Sequence, residues 1–199
     1  MNSEELRSVV DLVAADVRRC VMVLSAHRGG DCLLHAKVGQ QFLREEGVET
    51  RLVVGEAAWR VGEGNGDVIA HSEKCDKFAA FGNEIFHTWL EHDGYVIDFT
   101  TYTLPVKARL MDVTDGMRTN VLWCPEYLYV PKSSVSSYPE VRDKHAGMYH
   151  YHRNSALEHR ILSRGQHLDE LVETASLLRT ASPNTNVWVM NGHDDVTKY

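Results

Sequence analysis

The run NEIFHTWLEHDGYVIDFTT, residues 83–101, alternates apolar and polar side chains on both sides of Asp93-Gly94. Asp-Gly is a preferred centre for a two-residue hairpin, because both central residues of a type I′ turn take positive φ. The chain is therefore expected to hold an antiparallel pair here. The turn also sets a register. His92 falls opposite Tyr95, Trp89 opposite Asp98 and His87 opposite Thr100. In that register His87 and Asp98 share a face as diagonal neighbours, about 7 Å apart between backbones and somewhat less between Cβ atoms. A three-residue loop would send Asp98 to the other face, so the inference depends on the length of the turn.

Other elements gather around this hairpin. Residues 3–19 place Leu6, Val9, Val10, Val13 and Val17 at helical spacing behind Asn2 or Ser3 as a start. The following CVMVL, residues 20–24, reads either as more helix or as the beginning of a strand. Paired glycines at 29–30 mark a turn, and Asp31 then stands where a helix cap belongs. From Cys32, apolar positions Ala36, Gly39 and Leu43, widened by Leu34, Val38 and Phe42, predict a core helix over 32–46, stopped by Gly47. TRLVVGEAAW, residues 50–59, reads as a strand, and the glycine-rich VGEGNGDV that follows joins it to another. Residues 120–130 read as a strand interrupted by Pro125, and the segment from Pro131 to Gly147 as a long polar loop. Two helical patterns, 155–163 and 166–181, are separated by Gly165, and 185–190 reads as a last strand. Helices beside an antiparallel sheet make an α+β layout, expected to form one domain over 1–199 with extra strands and helices in 102–199 completing a cleft.

A cysteine in the first turn of a helix meets unpaired N–H groups and the positive end of the helix dipole. Both favour a thiolate and can hold an oxyanion, so Cys32 is the candidate nucleophile. Gly29 and Gly30 leave room for a substrate backbone beside it. A carboxylate that accepts from one imidazole nitrogen fixes the tautomer and leaves the other as a base. His87 with Asp98 fits that pairing. His35, one turn after Cys32, competes as a partner for the thiol, but a helix N-terminus disfavours its charged form and no acid stands near it in sequence. Set against all of this, a lone cysteine on an apolar helix face is usually structural.

Three ordered motifs carry a resemblance. GVETRLVVG, Gly47 to Gly55, resembles the Gly-Val/Ile-x-x-Arg-x-Val-x-Gly segment of the transglutaminase-like superfamily of papain-fold thiol enzymes. His87-Thr88-Trp89 is similar to its His-x-Trp, and Gly94 to Thr100, GYVIDFT, to its Gly-aromatic-x-x-Asp-x-Thr. The resemblance covers about residues 28–101 and implies Cys32 as nucleophile, His87 as base and acid, and Asp98 as the group that orients the histidine. It implies a papain-like fold, with a nucleophile helix packed on an antiparallel sheet. Arg28-Gly29-Gly30-Asp31-Cys32 also looks like the Arg-Gly-Gly-x-Cys element of arylamine N-acetyltransferases, but Leu33, Leu34 and His35 depart from the residues usual after the cysteine in those enzymes. The expected activity is cleavage or transfer of an amide or acyl group through an acyl-enzyme. Hydrolysis by a peptidase or amidase is favoured over acyl transfer, and a catalytically silent binding module on the same scaffold is the rival. Gly30, Asp31 and Trp89 are the candidate substrate-binding residues.

Composition narrows the partners. A net charge of −7 without a basic stripe argues against nucleic acid. No apolar run is long enough to span a bilayer, and the charged amphipathic opening is unlike a signal peptide, so a cytoplasmic protein with no membrane partner is expected. Cys20, Cys32, Cys75 and Cys124 form no C-x-x-C pair. His71 with Cys75, and His145 with His150 and His152, are the possible metal ligands, but neither group makes a four-ligand set, so neither metal nor cofactor is expected. The expected substrate is a peptide, a protein or a small amide.

Overall fold

Helix α1 (Ser3–Leu24) buries Leu6, Val10, Val13, Val17 and Cys20 along one side, and residues 20–24 continue it rather than begin a strand. The computed structural model describes residues 3–25, 29–72 and 85–181, together with the backbone of residues 188–190 and 196–198. Helix α2 (Cys32–Glu45) packs against α1 and against the sheet. Gly39 makes that approach possible, since a Cβ there would lie 2.4 Å from two ring carbons of Phe99.

The sheet is antiparallel throughout. Strand β1 (Arg51–Arg60) pairs with β2 (Val68–His71) across the glycine-rich connection, as expected. It also pairs with β3 (His87–His92), which turns at Asp93-Gly94 into β4 (Tyr95–Asp98). Asp93 has φ of 43° and Gly94 φ of 81°, the two positive values of a two-residue hairpin turn. His92 lies opposite Tyr95, Glu91 opposite Val96 and Leu90 opposite Ile97, so the expected register holds. Its alternation separates two cores. Leu90 and Ile97 join Val54, Phe42 and Leu43 under α1 and α2, while Trp89 and Val96 pack with Val53 on the opposite side.

The later half departs from expectation. Helix α3 (Leu104–Asp115), not foreseen, buries Leu104, Lys107 and Ala108 and covers a further cluster around Trp59 and Ile69. Strand β5 (Leu128–Pro131) pairs with β4, but residues 120–127 form no strand. Pro125 cannot donate to a ladder; its carbonyl accepts from the Thr101 hydroxyl at 2.9 Å instead. The segment expected as a polar loop contains helix α4 (Tyr138–Asp143), started by Glu140, whose carboxylate accepts from the Ser137 backbone N–H at 3.0 Å, and anchored by buried Val141. Strand β6 (Tyr149–Arg153) runs along β1 and completes a six-stranded sheet. Helices α5 (Ser155–Arg164) and α6 (Asp169–Thr180) match their patterns, with Gly165 opening the 3-10 turn between them. Strand β7 (Trp188–Met190) pairs with β8 (Val196–Lys198) in a separate two-stranded sheet. Among the described residues, no helix is long and apolar enough to cross a membrane.

Candidate active site

Cys32 opens α2. Asp31 holds the position before it, but its side chain accepts no cap hydrogen bond, contrary to the expected role. The carboxylate turns to His35, whose Nδ1 lies 3.4 Å from Asp31 Oδ1 and 3.0 Å from the Asp31 carbonyl. Burial pushes the Asp31 carboxyl up, but the hydrogen bond and charge of His35 together with a hydrogen bond from Ser25 outweigh it and hold the group below its ordinary value. His35 Nε2 in turn meets the Tyr102 hydroxyl at 2.8 Å. Both nitrogens of His35 are thus engaged, and the expectation that no acid stands near it in sequence is corrected: Asp31 lies one helical turn back. His35 does not partner the thiol.

The Cys32 sulfur lies 3.9 Å from the Phe86 carbonyl and 3.9 Å from the Thr88 hydroxyl, the residues on either side of His87 in the chain. Residue 32 is 7 % exposed. Burial pushes its thiol above the ordinary value, and the opposing pull of Lys107 and Thr88 does not cancel that. The thiolate preference expected from the helix N-terminus is therefore not met in this state; desolvation outweighs it.

His87 is fully buried, and its Nε2 lies 2.8 Å from Asp98 Oδ2. Because an ionised carboxylate only accepts, Nε2 carries the proton and Nδ1 is the lone-pair nitrogen. Nδ1 is buried with no hydrogen-bond partner among the described residues. Burial lowers the His87 pKa despite the Asp98 charge, so the ring rests neutral. Asp98 collects two further donors, the Tyr151 hydroxyl at 2.7 Å and the Thr100 backbone N–H at 2.8 Å. Burial pushes its carboxyl up, and the His87 contact, the Lys107 charge and the Tyr151 hydroxyl pull it well below the ordinary carboxylate range. Tyr151 itself accepts from the Trp59 indole N–H at 3.0 Å.

The fold thus brings Cys32, His87 and Asp98 into one region. Gly30 is exposed beside Cys32. Trp89 is 2 % exposed and stacks 6.3 Å from His87, so it backs the imidazole instead of facing a substrate. His71 stacks on the His87 ring at 5.8 Å, while Cys75 and Arg28 lie outside the described residues. His150 and His152 stack on each other at 6.3 Å, and His150 Nδ1 bonds the Ser136 carbonyl at 2.8 Å. No cluster of three metal-ligating side chains occurs among the described residues. Two members of the site were not foreseen. Tyr151 comes from a strand whose sequence lacks apolar alternation. Lys107 was discoverable, being the one charged residue on the Leu104–Lys107–Ala108 stripe, once α3 is recognised as a helix.

This α+β chain buries Cys32, His87 and Asp98. The chain belongs to the DUF2026 family, described as a protein of unknown function, whose model matches residues 17–175. No curated protein matches it. A crystal structure described as "genomics APC5867" is similar in fold, with a TM-score of 0.55 and 16% identity over 96% of this chain and 89% of that one.

Proposed function

We propose that this chain is a cysteine-nucleophile enzyme of the transglutaminase-like, papain-fold kind, acting on an amide or related acyl carbon. The observation that carries the reading is the state of His87: Nε2 is fixed by Asp98 at 2.8 Å, Nδ1 is buried and unpartnered, and the Cys32 sulfur lies against both neighbours of His87. A buried nitrogen without a partner costs about 1–3 kcal/mol. The Thr88 side chain shares the α2 face of β3 with Leu90, and the His87 ring shares the opposite face with Trp89, so the thiol must turn past the first residue of β3 to reach Nδ1; that contact removes the cost and takes the thiol proton. The sulfur then attacks the acyl carbon, and unpaired N–H groups at the start of α2 hold the oxyanion. His87, now protonated at Nδ1, gives the proton to the leaving amine. Water, activated by the neutral imidazole, releases the acid. Hydrolysis is preferred over transfer because water needs no second binding site.

Incubation with an activated acyl ester, followed by peptide mass mapping, tests the proposal. The expected result is an acyl group on Cys32 that accumulates in the native chain and forms much more slowly in His87→Ala. The second reading is a binding module without turnover, favoured by the burial of Cys32 and the upward push on its thiol. Acylation of Cys124 with none on Cys32 would select that module.

A further inference from the structure

Lys107 occupies the buried stripe of α3, where apolar side chains are the usual filler, and it is 4 % exposed. Its stem passes the turn before Cys32: a Cβ added to Gly29 would lie 3.5 Å from Lys107 Cγ. From there the ammonium reaches a point 4.9 Å from the centre of the Trp59 ring and donates to Thr100 Oγ1 at 3.3 Å. Among the described residues that is one acceptor for a group with three donors. His87 meets the same Trp59 ring at 4.8 Å, edge to face, and His71 stacks on His87. His71 Nε2 is buried with no hydrogen-bond partner among the described residues.

This corner therefore holds a cation with unspent donors and a neutral imidazole with a free nitrogen. Burial, reinforced by the Lys107 charge, keeps His71 uncharged. Burial also draws Lys107 below an ordinary lysine, opposed by Asp98, Cys32 and Asp31. If the ammonium served only the sulfur of Cys32, the free nitrogen of His71 would have no purpose. A neutral imidazole can carry its proton on Nε2, and one positive charge with one such N–H suits a monoanion better than a doubly charged phosphate. We propose that Lys107 and His71 form an anion-receiving corner beside Cys32, and that the substrate carries a carboxylate close to the acyl carbon. The inference rests on the Cys32–His87–Asp98 reading and names a substrate class for it, amides or esters of short acids bearing a second carboxylate.

Iodoacetate and iodoacetamide test this directly. Both alkylate a thiolate by the same displacement, the sulfur–carbon bond forming as iodide leaves, and they differ in carrying a carboxylate or a neutral amide. On Cys32 of the folded chain, the iodoacetate-to-iodoacetamide rate ratio is expected to be roughly tenfold above that of the unfolded chain, the size of one charge-assisted hydrogen bond. Lys107→Met should return the ratio to the unfolded value, and His71→Phe should lower it. A native ratio no higher than the unfolded one overturns the proposal, as does a Lys107→Met variant that slows both reagents equally. Propionate and propionamide give an arm independent of any variant: propionate is expected to slow alkylation of native Cys32 by iodoacetamide, and equal effects of the two count against the corner. If Cys32 reacts no faster than Cys124 with either reagent and His87→Ala changes neither rate, the catalytic reading fails and takes this inference with it, a result distinct from a lost charge preference alone.

Discussion

Asp98 receives three donors, one each from β3, from β6 and from its own turn at Thr100. That makes its ionised form far more favourable in the fold than in the unfolded chain, while burial makes the ionised forms of His87 and His71 less favourable. All three groups therefore bind fewer protons when folded, and each contributes stability that acidification removes. For the two histidines the loss begins as pH falls below the unfolded value of about 6.5, and for Asp98 below about 4. The urea midpoint is expected to fall between about pH 7 and about pH 5, and the fall to be shallower in His71→Phe. A flat wild-type midpoint across that interval would contradict the burial assigned to these imidazoles.

At the scale of elements, the position of the Cys32 helix is set by how closely α2 meets the sheet, and Gly39 is the point of contact. Gly39→Ala brings a methyl carbon to 2.4 Å from the Phe99 ring. The ring must shift, so a loss of about 1–3 kcal/mol is expected by urea denaturation, against the small gain alanine gives in an unconstrained helix. The elements legible in the sequence were those with strong periodicity: α1, α2, the β1–β2 pair, the β3–β4 hairpin, α5 and α6. Those that escaped lacked it for identifiable reasons. Strand β6 reads Tyr-His-Tyr-His-Arg; Tyr149 and Tyr151 pack against the apolar cluster around Trp59, but tyrosine alternating with histidine carries no aliphatic signal. Helix α3 buries only three side chains, and one of them is a lysine. Helix α4 rests on a capping pair and a single valine, Val141.

Across the whole molecule, the site joins the two halves of the chain. The residues between 28 and 101 supply Cys32, His87 and Asp98, and this part of the site was legible because a two-residue turn fixes which strand residues share a face. The residues after 101 supply Lys107 and Tyr151, which no local pattern marks as belonging together, since only the packing of α3 and β6 brings them to Trp59. The resting state of Cys32 was likewise hidden, because desolvation at a helix N-terminus depends on what covers it. The central claim is that an imidazole takes the proton of this buried thiol, and the most direct measurement is the site-resolved rate of alkylation by iodoacetamide near neutral pH. We expect Cys32 to react faster than the buried Cys20, whose thiol burial pushes up to about 11, and faster than exposed Cys124, with His87→Ala removing the difference. A Cys32 that reacts more slowly than Cys124 and ignores the loss of His87 would contradict the claim.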